Sequence, residues 1–340
     1  MRRRWLVPAD APLLDVANLS IRIGNGDRNL VDDVSFSVAA GETLCIVGES
    51  GCGKSLTALA LMGLLATPPV RITGGSVVFN GRDLLTLSQN ELSELRGDGI
   101  AMIFQEPMTA LNPAFTIGDQ IAEAVIRHRK VDKVKARERA LEMLERVGIP
   151  APETRLEAYP HQLSGGMRQR AMIAMALAND PVLLIADEPT TALDVTIQAQ
   201  VLQLIRDLQK DSGTGLVLIT HDLGVVAEIA DKVAVMYAGR IVESAPVAAL
   251  FEDPQHPYTI GLIGSLPGLE AGGRGQRLAT IPGLVPTPER MPAGCRFADR
   301  CPFATQICAQ TPPLRTLGPG HQVACHHAPL EDAVREGAAA

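Results

Sequence analysis

The apolar positions of this chain follow two rhythms. Short unbroken runs recur in TLCIV (Thr43 to Val47), AMIFQEP (Ala101 to Pro107), PVLLIADEP (Pro181 to Pro189) and GLVLITHDL (Gly215 to Leu223). Runs of this length, closed by polar or turn residues, predict strands buried on both faces, as in a central parallel sheet. Other segments place apolar residues at helical spacing: KSLTALALMGLL (Lys54 to Leu65), ALEMLERVGI (Ala140 to Ile149) and MRQRAMIAMALAN (Met167 to Asn179). Such spacing predicts amphipathic or buried helices. The alternation is that of an α/β fold. Residues from Pro12 to Ala40, with GGSVVFNGRDL (Gly74 to Leu84), read instead as short strands with turn chemistry. From Ile117 to Gly148 the chain is charged and helical. Past Glu243 it shifts toward Pro and Gly.

With 340 residues, 46% of them hydrophobic, the chain can bury one large core or two moderate ones. Aromatics are only 3%, so aliphatic packing dominates. A net charge of −7 argues against general nucleic-acid binding, which needs a basic face. The longest apolar run, TALALMGLLA (Thr57 to Ala66), is half of the roughly 20 residues that span a bilayer. The start, MRRRWLVPADAP, lacks the apolar stretch of a secretory signal. A cytosolic chain is expected, with any membrane role supplied by a partner. Cysteines are unevenly placed: Cys45 and Cys52 lie in the first sixth of the chain, and Cys295, Cys301, Cys308 and Cys325 crowd its end. In a cytosolic chain such a cluster suggests metal before disulfide.

The chemistry begins at GESGCGKS (Gly48 to Ser55), between a predicted strand and a predicted helix. This is the context the phosphate-binding Walker A pattern requires. Gly48, Gly51 and Gly53 let backbone N–H groups approach phosphate oxygens, with Glu49, Ser50, Cys52 and Leu56 completing the cradle. The helix start adds about half a positive charge. Lys54 is placed to reach the β- and γ-phosphates and Ser55 to hold magnesium. Cys52 is either a tolerated small residue or a thiolate favoured by the helix start and Lys54. The second case predicts that alkylation blocks ATP binding and that bound ATP protects.

Asp187 and Glu188 end an apolar strand. An acidic pair alone would be a solvated strand end, but the strand and the upstream cradle give it work. Asp187 is assigned to magnesium, through water, and Glu188 to the attacking water. Neighbours on a strand point to opposite sides, so the two acids can face different groups. His221 ends another apolar strand, and Gln105 follows a third. Parallel pairing brings such positions to one carboxyl edge, where α/β sheets bind ligands. His221 is assigned to the γ-phosphate and Glu188, and Gln105 to magnesium and the attacking water. LSGGMRQR (Leu163 to Arg170) supplies Ser164, Gly165 and Gly166 before a helix, a second anion-binding N-terminus.

The order of cradle, Gln105, LSGGMRQR, Asp187-Glu188, Ala192-Leu193-Asp194 and His221 resembles the nucleotide-binding subunits of ABC transporters, over about Leu14 to Arg240. The resemblance implies a P-loop NTPase with a RecA-like parallel-sheet core, an antiparallel β subdomain over the nucleotide and a helical subdomain at about 108–170. It implies that Ser164, Gly165 and Gly166 face the γ-phosphate held by an opposing subunit, and that Asp194 joins the two sites. Two subunits then close on two ATP molecules and part after hydrolysis. One position departs from the pattern: no aromatic stands in LSIRIGNGDRNL (Leu19 to Leu30) to stack on adenine. Ile23 is the best match, with an aliphatic contact or Arg28 as substitute.

EDPQHPYT (Glu252 to Thr259) and the run from Ile281 to Cys308 resemble the tail of the oligopeptide/dipeptide subfamily. The chain is therefore divided into a nucleotide-binding domain, 1–250, and a C-terminal region, 251–340. The cysteines are separated by five, six and sixteen residues, unlike the CxxC knuckles of zinc ribbons. By resemblance, Cys295, Cys301, Cys308 and Cys325 hold a 4Fe–4S cluster, with zinc as the alternative, free thiols as a third reading, and His326 and His327 in reserve.

The expected function is the ATP-hydrolysing subunit of a di-/oligopeptide importer, at the cytoplasmic face of the membrane. Its implied partners are a second, non-identical ATPase, two transmembrane permeases and an extracytoplasmic binding protein. Nickel, glutathione or another small solute is the alternative cargo. A soluble mechanical ATPase acting on nucleic acid or ribosomes is the rival class, but the coiled coils, second ATPase half and basic surfaces of such proteins are missing. An iron–sulfur redox sensor using ATP allosterically is a third, against which Glu188 and His221 argue.

Overall fold

A computed structural model of the chain describes residues 11–24, 26–191, 194–266 and 280–330. The strands are β1 (Leu14–Ile23), β2 (Val31–Val38), β3 (Thr43–Val47), β4 (Val70–Phe79), β5 (Arg82–Asp83), β6 (Ile100–Ile103), β7 (Leu183–Asp187), β8 (Gly215–Thr220), β9 (Lys232–Tyr237), β10 (Arg240–Pro246), β11 (Arg315–Gly318) and β12 (His321–Val323). The helices are α1 (Lys54–Leu61), α2 (Gln89–Leu95), α3 (Pro107–Ala110), α4 (Ile117–Arg129), α5 (Lys133–Arg146), α6 (Pro152–Leu156), α7 (Gly165–Leu177), α8 (Val195–Ser212), α9 (Leu223–Ile229), α10 (Val247–Glu252) and α11 (Pro257–Gly264).

Among the described residues the strands form two sheets. The larger has the order β11-β12-β10-β9-β3-β8-β7-β6. Its centre is parallel: β3 pairs with β8 and β9, and β7 with β6 and β8. All residues of β3, β6, β7 and β8 are buried, which is why their sequences are unbroken apolar runs. The smaller sheet, β2-β1-β4-β5, is antiparallel, and its strands alternate between buried and more exposed positions. Among the described residues two large apolar clusters fill the protein, and a small third one joins Val323, Cys325, Ala328 and Leu330 in the tail. Of the large ones, one packs β1, β2 and α1 against one face of the central strands, and the other packs α4, α5, α7 and α8 on the opposite side.

Helix α1 stops at Leu61, four residues before the expected Leu65. Gly63 takes a left-handed backbone (φ 59°). The Leu64 N–H bonds back to the Leu59 carbonyl, and that of Gly63 to Ala60, a Schellman closure. Arg96 then donates to the Met62 and Gly63 carbonyls. The helical region holds α4 and α5, capped by Thr116 and Asp132 side chains that accept N–H bonds.

Strands β9 and β10 lie beyond those read from the sequence. They carry the sheet past residue 250, because β12 pairs with β10 through Glu243↔Val323. Glu243 is fully buried there. It accepts hydrogen bonds from the backbone N–H groups of Gln255 (2.7 Å) and His256 (2.9 Å), and its Oε1 lies 2.8 Å from His321 Nε2. Helix α11 starts at Pro257, and its first turn is capped by His256 Nδ1, which accepts from the Tyr258 N–H. Although rich in Pro and Gly, the tail packs Tyr258, Met291 and Phe297 into the large apolar cluster.

Candidate functional site

The parallel centre of the sheet brings the ends of β3, β8, β7 and β6 to one edge. The chain leaves β3 through the Gly48–Ser55 loop and enters α1. Gly48 is required there, since a Cβ would lie 2.1 Å from the Met236 carbonyl oxygen. At Gly53 the backbone is left-handed (φ 103°), the last turn before α1. Lys54 is 5% exposed and donates to the carbonyls of Gly48 (2.7 Å) and Glu49 (3.1 Å). Ser55 Oγ donates to Asp187 Oδ1 at 3.0 Å. Burial raises the Asp187 pKa; the Ser55 bond and Lys54 pull it down, and Glu188 pushes it up. The Ser55 hydroxyl and the Asp187 carboxylate are hard oxygen donors, which suit magnesium.

At Cys52 the structure decides between the two readings, for the tolerated small residue. Its side chain is 1% exposed, and burial raises the thiol pKa despite Lys54 Nζ at 3.8 Å. Desolvation outweighs the nearby ammonium, so the thiolate is not favoured.

Glu188 leaves β7 with a left-handed backbone, φ 44°. Such a conformation in a residue other than glycine stores strain at a site. The two acids take different partners, Asp187 the Ser55 hydroxyl and Glu188 a separate group of side chains. Three groups meet Glu188 Oε2: Thr191 Oγ1 at 2.8 Å, Gln105 Nε2 at 3.3 Å and His221 Nδ1 at 3.4 Å. The structure thus brings together Gln105, Glu188 and His221 from three strand ends. Thr191 was missed in the sequence; its signal is its place three residues after the acid. Gln169 was missed too. Buried on α7, its Nε2 donates to the Pro189 carbonyl and ties that helix to the segment after Glu188.

Ser164 caps α7 by accepting the Met167 N–H at 3.3 Å. Ser164 and Gly165 are exposed, and a Cβ on Gly165 would meet no atom within 4 Å. Among the described residues no hydrogen bond or ion pair joins Ser164, Gly165 or Gly166 to the Gly48–Leu56 loop. Asp194 caps α8, accepting from Thr196 and Ile197 N–H, both at 3.1 Å. Ala192 and Leu193 lie outside the described residues. Ile23 is 42% exposed and lines a cleft of about 540 Å³ with Arg28, Leu30, Pro288 and Glu289. Arg28 spends its guanidinium on the Met291 and Pro292 carbonyls.

The four tail cysteines are unpaired and lie within electrostatic reach of one another. Burial raises the pKa of Cys295, Cys301 and Cys325, that of Cys301 to about 11, and the neighbouring sulfurs, Cys308 included, add to the rise. Backbone N–H groups point at three sulfurs: Phe297 and Ala298 at Cys295, Phe303 at Cys301, His327 and Ala328 at Cys325. His327 Nε2 lies 3.7 Å from Cys308 Sγ, whereas His326 Nε2 faces the Gln310 carbonyl. Among the described residues no three His, Cys, Asp or Glu converge tightly enough to hold a single metal ion. No described helix is long and apolar enough to cross a membrane.

Comparison with known proteins adds two family matches: ABC transporter over residues 31–191, and oligopeptide/dipeptide transporter, C-terminal region, over residues 242–308. A probable peptide ABC transporter ATP-binding protein, y4tR of Sinorhizobium fredii, is 56% identical over 92% of this chain and 94% of its own. A protein of Brucella melitensis named for peptide import ATP binding is 52% identical over 92% and 96%. Among solved structures, the ATP-binding cassette MJ0796, a dimer in a post-hydrolysis state bound to ADP and Pi, matches with a TM-score of 0.61 at 29% identity. That match covers 69% of this chain and 98% of the cassette.

Proposed function

Because the chain belongs to the ABC transporter family, as an ATPase of its oligopeptide/dipeptide branch, we propose that it powers peptide uptake by closing on ATP with a second cassette. One observation carries the hydrolytic part: Glu188, Gln105 and His221 converge at the sheet edge that also bears Lys54, Ser55 and Asp187. The peptide cargo rests on the matched C-terminal region and on what the relatives are named for.

Lys54 exchanges the Gly48 and Glu49 carbonyls for the β- and γ-phosphates. Ser55 and Asp187 hold magnesium, which neutralises charge developing on the phosphate oxygens when bound. Glu188 works through Oε1, since its Oε2 already meets Gln105, Thr191 and His221. A water oriented by Oε1 and Gln105 attacks the γ-phosphorus. Its proton passes to Glu188, the bond to the bridging oxygen breaks, and the electron pair leaves with ADP. His221, with its side chain 63% exposed, contacts the γ-phosphate and reports its loss.

Ser164, Gly165 and Gly166 contact the γ-phosphate of the opposing cassette. Support comes from the exposed α7 N-terminus and from Gly165, whose missing side chain no packing within the chain requires. A facing phosphate requires the open space. Asp194, which caps α8, joins the two sites across the interface between the cassettes. The other cassette is a non-identical ATPase, and two permeases and an extracytoplasmic binding protein complete the importer at the cytoplasmic face. In the tail, Cys295, Cys301, Cys308 and Cys325 carry a 4Fe–4S cluster. The mutual proximity of the four sulfurs supports a shared centre, and backbone hydrogen bonds at three of them partly offset the burial that raises their pKa values.

The test is reconstitution with the permeases that co-purify with it from membranes. Peptide should stimulate ATP turnover and accumulate, and nickel or glutathione should not. Stimulation by either of these alone would replace the cargo, and cassettes that remain monomeric with ATP beside their permeases would overturn the closure. Anaerobic purification should yield a brown protein with iron and sulfide; a colourless protein carrying neither rejects the cluster.

A further inference from the structure

Glu49, the second residue of the phosphate loop, is fixed by groups more than 200 residues away. Its backbone N–H donates to Tyr258 Oη at 2.9 Å. Its carboxylate is held at both oxygens by Arg300, with Nη1 to Oε2 at 2.8 Å and Nη2 to Oε1 at 3.0 Å. The third point is internal, where its carbonyl accepts from Lys54. A bidentate guanidinium–carboxylate pair fixes orientation as well as distance.

The tail groups are themselves rigid. The Arg300 side chain is 6% exposed, and it also donates to the Pro282 carbonyl (2.8 Å), the Ile281 carbonyl (3.3 Å) and Tyr237 Oη (3.4 Å). Tyr258 is fully buried, its ring 4.7 Å from that of Tyr237 and 5.5 Å from that of Phe297. Both clamps belong to the tail: Tyr258 to the HPYT segment, and Arg300 to the residue before Cys301.

We infer that Arg300 and Tyr258 are positioning residues for nucleotide binding, which set the backbone of the phosphate loop through Glu49. With its N–H spent on Tyr258, Glu49 offers the phosphates no donor; its service is to fix where the next residues begin. A loop of glycines has many conformations to lose on binding, and an anchor at its start removes part of that cost beforehand. A mere staple for the tail would affect the tail's own stability and leave nucleotide affinity alone.

The inference rests on the ATPase reading, and the two can fail separately. The full-length protein is titrated with MgADP by calorimetry, and steady-state ATP turnover is measured in the transporter. Arg300→Lys and Glu49→Gln should each weaken MgADP about tenfold, the effect of one charged hydrogen bond. Together they should weaken it no further, since both break the same pair. Tyr258→Phe, which keeps the ring, should weaken it severalfold and serves if the other variants fold poorly. The loss should fall on KM for ATP, with kcat at saturating ATP falling far less. Wild-type affinity in Tyr258→Phe and in whichever pair variant folds would overturn the inference, as would multiplying losses in the double variant. If Lys54→Ala abolishes binding while these variants do not weaken it, only this inference fails. If Lys54→Ala binds normally, the ATPase reading fails with it.

Discussion

Replacing Glu243 should loosen the tail from the sheet without unfolding the cassette. The carboxylate is 0% exposed and faces the Gln255 and His256 N–H groups and His321 Nε2. In Glu243→Gln one oxygen becomes an NH₂. With the amide nitrogen in place of Oε2, the Gln255 and His321 contacts survive, and the His256 N–H faces another donor. A hydrogen bond to a charged group contributes about 1.5–3 kcal/mol, and a donor left buried costs about 1–3 kcal/mol more. The expected loss is about 3 kcal/mol, roughly two powers of ten in the population of the opened tail. Glu243→Leu, which leaves all three groups unpartnered, should be worse. Hydrogen exchange followed by mass spectrometry reads this directly. Peptides covering α11 and β12 should lose protection, and those covering β3 and β8 should not. Wild-type protection in α11 and β12 for both variants would refute the reasoning, as would a leucine variant more protected than the glutamine one.

His256 predicts acid sensitivity of the same region. Burial lowers its pKa from 6.5 to about 3, so the folded ring stays neutral while the unfolded segment takes a proton below pH 6.5. Its contribution is therefore complete above pH 6.5 and lost progressively from there toward pH 3, about 2 kcal/mol by pH 5. His256→Asn keeps a capping acceptor and should flatten the fall in melting temperature between pH 7 and pH 5; an unchanged slope would exclude His256 as its source. Glu188→Gln should retain ATP and lower turnover at least about 100-fold, the scale of a lost general base; undiminished turnover would mean that another group takes the proton. N-ethylmaleimide at pH 8 should modify Cys52 far more slowly than an unstructured cysteine peptide, with or without ATP, as mass spectrometry can show. Rapid labelling that nucleotide blocks would restore the exposed thiolate.

The phosphate loop was legible because its chemistry is local. Gly48, Lys54 and Ser55 sit at fixed spacing between one strand and one helix. Gln105, Glu188 and His221 lie far apart in the chain, but each follows an apolar run, and parallel pairing converts three strand ends into one edge. Cys52 allowed two readings because a nearby cation is visible in sequence and 1% exposure, which decides against the thiolate, is not. The left-handed backbone of Glu188 at the end of β7 is a feature that no hydropathy pattern announces. Tyr258 and Arg300 were invisible for another reason. Their partner stands 209 and 251 residues away, and nothing in HPYT or ADRC names it.

The tail's reach is also selective. It touches Arg28 through the Met291 carbonyl, Asp32 and the Ala238 carbonyl through Arg296, Glu49 through Arg300 and Tyr258, and Glu243 through His321. All of these flank the phosphate loop or the strands beside it. The hydrolytic side is braced differently: Glu188 by Gln105 and Thr191, and the segment after it by Gln169 of α7. Under the proposed function, changes in the tail should bear on how nucleotide is held, and changes in the helical region on how it is cleaved. A perturbation of the cysteine segment should therefore appear first in nucleotide affinity, since Arg296 and Arg300 are sequence neighbours of Cys295 and Cys301. A perturbation of α7 should appear first in turnover, since its route to the site runs through the carbonyl one residue after Glu188, the proposed base.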